Sequence, residues 1–126
     1  MASVIRGNDN FDSAGGAAMK AWVNFDGTFG TNPFTLANGG IRAAYNVDSV
    51  TDNATGDYTV NFTSGALPDG KYAVVSSAAR NNSTDPMICA PKGNAGTYSA
   101  SAVRLQALSD GGANEDSPVV SIAIFR

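Results

Sequence analysis

Asp57-Tyr58-Thr59-Val60-Asn61-Phe62-Thr63 is the stretch that decides the fold class of this chain. Its large apolar residues at positions 58, 60 and 62 alternate with polar residues, which is the period of a strand with one face on a core and the other in water. Turn-forming residues flank it, with Asp52-Asn53-Ala54-Thr55-Gly56 before it and Leu67-Pro68-Asp69-Gly70 after it. The stretch therefore predicts one strand of an antiparallel sheet, entered from a hairpin.

Strand signals of the same kind lie on both sides of this stretch. They cover residues 20–25, 41–48, 71–79, 97–108 and 119–125, and Gly, Asn, Asp and Pro stand between them. Residues 71–79 have small or apolar side chains on both faces, which predicts a strand covered on both sides. No window combines the 3.6-residue apolar period with the caps of a helix. The pattern predicts an all-β chain with one antiparallel β-sandwich domain, jelly-roll-like, over residues 20–126.

Residues 1–19 differ from the rest of the chain in composition. They are rich in Gly, Ala, Asn and Asp and include Gly15-Gly16-Ala17-Ala18. This composition predicts an extended N-terminal arm that connects the domain to a neighbour, with a floppy terminus as the alternative. Asn8-Asp9-Asn10-Phe11-Asp12 is rich in oxygen ligands but lacks the glycine and the distal glutamate of an EF-hand loop. No metal site is therefore predicted.

The chain carries little charge, and its charges are scattered. Charged residues make up 15% of the 126 residues, the formal net charge is -3, and the eight Lys and Arg residues stand singly. A surface poor in charge is typical of contact with other protein surfaces. Without a basic stripe or a polybasic segment, neither nucleic acid nor a membrane is a predicted partner. Since the N-terminus lacks the apolar run of a signal peptide, we expect folding in a cytoplasm.

The residues available for chemistry argue against an enzyme. The sequence has no histidine, which removes the commonest general base and the commonest transition-metal ligand. Two carboxylate pairs remain as formal candidates, Asp52 with Asp57 and Glu115 with Asp116, but both stand in predicted turns, where Asp serves the backbone. Cys89 is single and predicted to be a small buried hydrophobe. We therefore predict no catalytic residue and no cofactor.

Five aromatic side chains are candidates for stacking on a sugar. They are Trp22, Tyr45, Tyr58, Tyr72 and Tyr98. All five stand in predicted strands, where packing in the core is the ordinary role of an aromatic residue, so the core is the predicted place for each.

The polar loop after residue 79 is the best candidate for contact with a ligand. It offers both signs of charge together with amide and hydroxyl groups suited to sugar hydroxyls. An ordinary surface loop is the competing interpretation. The predicted ligand-binding residues are Arg80, Asn81, Asn82, Thr84 and Asp85.

Several of these segments resemble one module of phage tail-fibre proteins, common in phages of marine and freshwater bacteria. The resemblance covers roughly half of the chain. The block Thr51-Asp52-Asn53-Ala54-Thr55-Gly56-Asp57-Tyr58-Thr59-Val60-Asn61-Phe62 is its most specific part. The matching segments are residues 20–28, 41–47, 50–63, 67–74 and 119–125.

The resemblance implies a structural protein of the virion, a receptor-binding adhesin that attaches to carbohydrate on the host surface. It also implies a homotrimer, for which residues 76–79 and 99–102 offer faces poor in charge. The N-terminal arm is then expected to join the domain to another virion protein. Residues 80–112 match little, as expected for a variable part that faces the target.

Two departures from the family leave alternatives open. Residues 29–40 are longer than the family's usual link, and the chain is short for a tail fibre. The module is therefore also compatible with a capsid decoration or head-fibre protein that stabilises or adorns the shell. A third hypothesis is a free carbohydrate-binding module, which would need an exposed aromatic platform such as Trp22.

Overall fold

A computed structural model describes residues 18–80, 84–93 and 97–126. These residues form eight strands and no helix, hence none that is long and apolar enough to cross a membrane. The predicted all-β class is confirmed. In chain order the strands are β1 (Met19–Phe25), β2 (Ile41–Tyr45), β3 (Val47–Ala54), β4 (Asp57–Phe62), β5 (Ala73–Ala79), β6 (Met87–Pro91), β7 (Ala102–Ser109) and β8 (Val119–Phe125).

The strands form two antiparallel sheets of four strands each. Sheet I has the order β2-β1-β8-β5, and sheet II has the order β3-β4-β7-β6. The chain passes between them at Asn46, the single residue between β2 and β3, whose φ of 56° lies in the left-handed region that Asn tolerates. Its side-chain Nδ2 donates to the Lys20 carbonyl at 2.8 Å, which secures this corner. Two facing antiparallel sheets agree with the predicted β-sandwich.

Four of the seven connections between consecutive strands cross from one sheet to the other, and the jelly-roll-like order stays a prediction. The other three, β1–β2, β3–β4 and β6–β7, join hydrogen-bonded neighbours within one sheet. Thr55-Gly56 alone links β3 to β4, with Gly56 at a φ of 65°, and so short a turn keeps both strands in the same sheet.

The core lies between the sheets and uses the inward positions of the strand alternation. Tyr58, Val60 and Phe62 of β4 are buried, as the alternation predicts. Val23 and Phe25 of β1 are buried opposite them in sheet I. The rings of Phe25 and Tyr58 meet edge to face with centroids 5.2 Å apart, which joins the sheets. Each such side chain contributes about 1.5–3 kcal/mol when fully buried.

Two strands differ from their predictions. Residues 71–79 were predicted to be covered on both faces, but β5 lies at the edge of sheet I and its side chains alternate in exposure. Val75 is 61% exposed. Small apolar residues on both faces do not reveal which face meets a core. The strand predicted over 97–108 begins only at Ala102, because Ser99 N donates to Ala102 O at 3.0 Å and closes a turn before it.

The long link between β1 and β2 is pinned to sheet II by Phe34. This ring is fully buried, and its backbone exchanges two hydrogen bonds with Val50, at 2.8 and 3.0 Å. Leu36, two residues on, is 56% exposed. The link therefore packs over one end of the sandwich and leaves the outer face of sheet I uncovered at Trp22 and Val75.

The predicted N-terminal arm falls almost entirely outside the described residues. Ala18 is the first described residue, and it exchanges backbone hydrogen bonds with Arg126 next to β8. The oxygen-rich run at residues 8–12 also lies outside the described part of the chain.

Candidate binding groove

The loop predicted to bind a ligand is described only in part. Asn81 and Asn82 lie outside the described residues, while Thr84 and Asp85 are exposed. Arg80 is 16% exposed and is surrounded by carboxylates: its Nη1 lies 3.8 Å from Asp85 and 3.7 Å from Asp110. Its Nη2 also donates to the carboxylate of residue 115. Arg80 therefore ties the end of β5 to the loop between β7 and β8, and ligand binding by this loop stays a prediction.

The five aromatic candidates do not share one environment. Tyr58 and Tyr72 are buried, with exposed fractions of 0% and 9%, so their predicted place in the core is confirmed. The prediction is wrong for Tyr45 and Tyr98, which are 50% and 42% exposed, and for Trp22, which is partly exposed.

Strand parity explains why Trp22 points away from the core. Ala21, Val23 and Phe25 of β1 are all buried, so the residues between them face outward from sheet I. The sequence contains this signal, because the two-residue period of a strand puts Trp22 on the face opposite to Phe25, and Phe25 belongs in the core.

Register places a row of apolar side chains across the outer face of sheet I. Tyr45 of β2 pairs with Trp22 of β1, Trp22 with Ala123 of β8, and Ala123 with Val75 of β5. Paired residues lie about 5 Å apart in neighbouring strands and point to the same side. Trp22 and Val75 therefore stand on opposite sides of the small Ala123.

A polar row runs beside the apolar row. Ala43 pairs with Asn24, Asn24 with Ser121, and Ser121 with Ser77. The Asn24 Nδ2 donates to Ser121 Oγ at 2.7 Å, and an Nη1 of Arg42 donates to Asn24 Oδ1 at 3.3 Å. These bonds fix the amide, while the hydroxyls of Ser77 and Ser121 keep acceptor capacity for a ligand.

The two rows border a groove of about 330 Å³ on the outer face of sheet I. A volume of this size is within the range of ordinary small-ligand sites, whose lining is mostly apolar with a few polar groups at fixed positions. None of the nine described residues that line the groove is charged. They are Trp22, Val23, Asn24, Val75, Ser76, Ser77, Ser121, Ile122 and Ala123.

The groove suits a ligand that is apolar on one side and rich in hydroxyls on another. An indole offers a flat apolar surface for stacking, and the small side chains of Ala123 and Ser121 leave depth beside it. The Asn24 and serine groups then meet polar atoms along one edge. We name this site, made by the rows of Trp22 and Asn24, the outer groove.

Asp57, one of the formal catalytic candidates, is held in ion pairs. Its side chain is 7% exposed and accepts Arg104 Nε at 2.7 Å, Arg104 Nη2 at 2.8 Å and Lys92 Nζ at 2.8 Å. Asn53 Nδ2 adds a bond at 3.3 Å. The hydrogen bonds from Arg104, aided by those from Lys92 and Asn53 and opposed by burial, lower the pKa of this carboxyl well below its usual range.

Asp116 and Glu115, from the second candidate pair, also have partners in the fold. Asp116 Oδ1 accepts from the Tyr58 hydroxyl at 2.9 Å and from the Gly56 amide at 2.8 Å, which fixes the last loop against the β3–β4 turn. Glu115 accepts from the guanidinium of residue 80. Burial, with the negative charges of Asp116 and Asp57, raises the pKa of Asp52.

In comparisons with known proteins, no family model, no curated protein and no solved structure matches the chain.

Proposed function

We propose that this protein is a non-enzymatic adhesin domain of tail-fibre type in a bacteriophage virion, and that it attaches to a glycan on the host surface through the outer groove. The observation that carries the proposal is the amphipathic groove, in which Trp22 stands beside the hydrogen-bonding row of Asn24 and Ser121. The sequence resemblance to tail-fibre modules supports the virion part of the proposal.

The chemistry of sugars matches the two rows. A pyranose ring presents a face of C–H groups that stacks on an indole, and hydroxyls around its rim that need hydrogen-bond partners. Asn24 is fixed by Ser121 and Arg42 before any ligand arrives, so little side-chain entropy is lost on binding.

The outer groove has the size of a ligand site. Its volume of about 330 Å³ lies in the range of ordinary small-ligand sites, and the partly exposed Trp22 and the exposed Val75 border it. A ligand of sugar size therefore fits the groove.

Assembly supplies the strength that one groove lacks. Since Ser76 and Ser77 line the outer groove, residues 99–102 rather than 76–79 are the proposed contact between copies. In such a homotrimer three grooves engage one cell surface, and linked sites raise overall avidity far above the affinity of each. The arm over residues 1–19 is proposed to fix the trimer to another virion protein. Light scattering of the purified protein is expected to give a trimer mass; a monomer at micromolar concentration counts against this part.

Glycan binding is tested with the variant Trp22→Ala. The intact protein is screened on an array of bacterial surface glycans, and its best ligand is then titrated calorimetrically. We expect Trp22→Ala to lose roughly tenfold or more in affinity, about 1.4 kcal/mol, and Trp22→Phe to retain binding because it keeps a stacking ring.

Tyr98→Ala is the matched control, because Tyr98 is another exposed aromatic residue outside the outer groove. Its affinity is expected to equal that of the parent. If no glycan binds, or if both aromatic variants lose binding equally, the proposal is wrong. Gold labelling of intact particles then places the protein on tail or head, and a head location would favour the capsid decoration alternative.

A further inference from the structure

We infer that the sugar in the outer groove carries a methyl substituent, as an acetamido or a 6-deoxy group, and that this methyl contacts Val75. The inference rests on the proposed glycan function and adds to it the class of sugar. Its basis is the exposed wall that Val75 forms opposite Trp22, a feature that stacking on Trp22 alone does not use.

The groove has two apolar walls rather than one. Trp22 and Val75 both pair with Ala123 in the register, so they stand on either side of it, and two strand spacings of about 4.8 Å separate their backbones. A sugar ring stacked on the indole then turns its opposite edge toward the isopropyl group of Val75, which is 61% exposed.

The polar groups of the groove lie on one side only. Asn24, Ser121 and Ser77 form a row beside the apolar one, and Val75 and Ala123 offer a hydroxyl nothing to bond. A hydroxyl held against Val75 would lose its water without a replacement partner, which is costly. A methyl group at the same place gains contact and loses nothing.

The lack of charge in the groove lining limits the kind of sugar that fits. The residues that line the groove are uncharged, and Arg42, which donates to Asn24 at its border, also donates to the Pro118 carbonyl at 2.6 Å. Asp26 lies 3.9 Å from the same guanidinium. The groove therefore fits an uncharged sugar better than an acidic one.

The test compares three free sugars of the same ring configuration by NMR titration of the full chain: N-acetylglucosamine, 6-deoxyglucose and glucose. Burial of one methyl group predicts about fourfold tighter binding than to glucose for at least one of the first two. The one that binds more tightly identifies the source of the methyl group.

Val75→Thr is the decisive variant, since it keeps the shape of the side chain and replaces one methyl by a hydroxyl. The preference over glucose is expected to fall to about onefold while binding of glucose stays within about twofold of the parent. Ala79→Ser changes an exposed residue of the same strand outside the groove and is expected to change neither value.

The outcomes separate the inference from the proposal on which it rests. If glucose binds as well as both methyl-bearing sugars, and Trp22→Ala abolishes all binding, the inference is overturned and the glycan function stands. If none of the sugars, nor any glycan of the array, binds the parent protein, the proposed function fails and the inference fails with it.

Discussion

The outer faces of the two sheets are made by the same strand alternation and yet differ in chemistry. On sheet II, Asn61 Nδ2 donates to Ser49 Oγ at 3.1 Å and to Thr51 Oγ1 at 3.0 Å, and Asn53 Nδ2 donates to Thr59 Oγ1 at 2.8 Å. Sheet I instead presents the aromatic and aliphatic side chains of the outer groove to solvent.

The difference separates the β3–β4 part of sheet II from the outer groove of sheet I. At the β6 edge of sheet II, Ile88 is 51% exposed and pairs with Leu108. The polar side chains of sheet II bond mainly to one another, so their hydrogen-bonding capacity is largely used within the fold. The apolar row of sheet I has no such internal partners, and exposed apolar surface next to placed polar groups marks a binding site. We therefore expect substitutions on sheet II to lower mainly stability, and substitutions in the outer groove to lower mainly ligand affinity.

Removal of the carboxylate at Asp57 is expected to give the largest loss of stability on sheet II. Asp57→Asn leaves Arg104 and Lys92 without their charged partner, and hydrogen bonds to charged groups contribute about 1.5–3 kcal/mol each. Because both cations are partly exposed, we expect a total loss of about 2 kcal/mol in the free energy of unfolding, measured by urea denaturation.

Glycan affinity is the second measurement on Asp57→Asn. Asp57 lies on sheet II, so the affinity of the folded variant is expected to equal that of the parent. A variant that keeps its stability but loses its ligand would reverse the roles assigned to the two faces.

Acid is expected to remove the same stabilisation without a mutation. The pKa of Asp57 is lowered in the folded state by Arg104, so its contribution is fully present above the unfolded value of about 3.9 and is lost as the pH falls toward the lower folded value. The stability difference between the parent and Asp57→Asn should be constant from about pH 5 to pH 7 and shrink below about pH 4.

Urea denaturation at a series of pH values measures this difference directly. Asp48→Asn, which removes an exposed carboxylate that accepts a hydrogen bond from Thr63, serves as the control. Equal pH dependence in the two variants would show that the ion pairs of Asp57 contribute nothing of their own.

The sequence predicts the inner face of this fold better than its outer face. The burial of Tyr58, Val60 and Phe62 is predicted by the sequence, because they alternate with polar residues over only a few positions. Trp22 and Val75 were misplaced because large apolar residues are ordinarily buried, and neither residue shows alone that its partner across the sheet is the small Ala123.

The outer groove itself was beyond sequence reasoning for a related reason. It joins β1, β5 and β8, which are far apart in the chain, and only the register brings their residues into two rows. The prediction of a ligand site in the loop at residue 80 rests on composition, which does not reveal that Arg80 has Asp85, Asp110 and Glu115 around it.

The smallest expected effect comes from two asparagines, one on each outer face. Asn61→Ala removes the amide that joins β3 to β4 through Ser49 and Thr51, and a loss of about 1 kcal/mol in stability is expected. Asn24→Ala removes the bond to Ser121 and the longer bond from Arg42, and about 0.5 kcal/mol is expected because Arg42 keeps its bond to the Pro118 carbonyl.

Glycan affinity should rank the two asparagines in the opposite order. Asn24 borders the outer groove, so Asn24→Ala is expected to weaken binding about threefold to tenfold, whereas Asn61→Ala leaves it unchanged. Asn24→Asp tests the role of the amide donor with little change in shape. If the two alanine variants lose affinity alike, the polar row of sheet I does not contact the ligand, and the binding site lies elsewhere on the molecule.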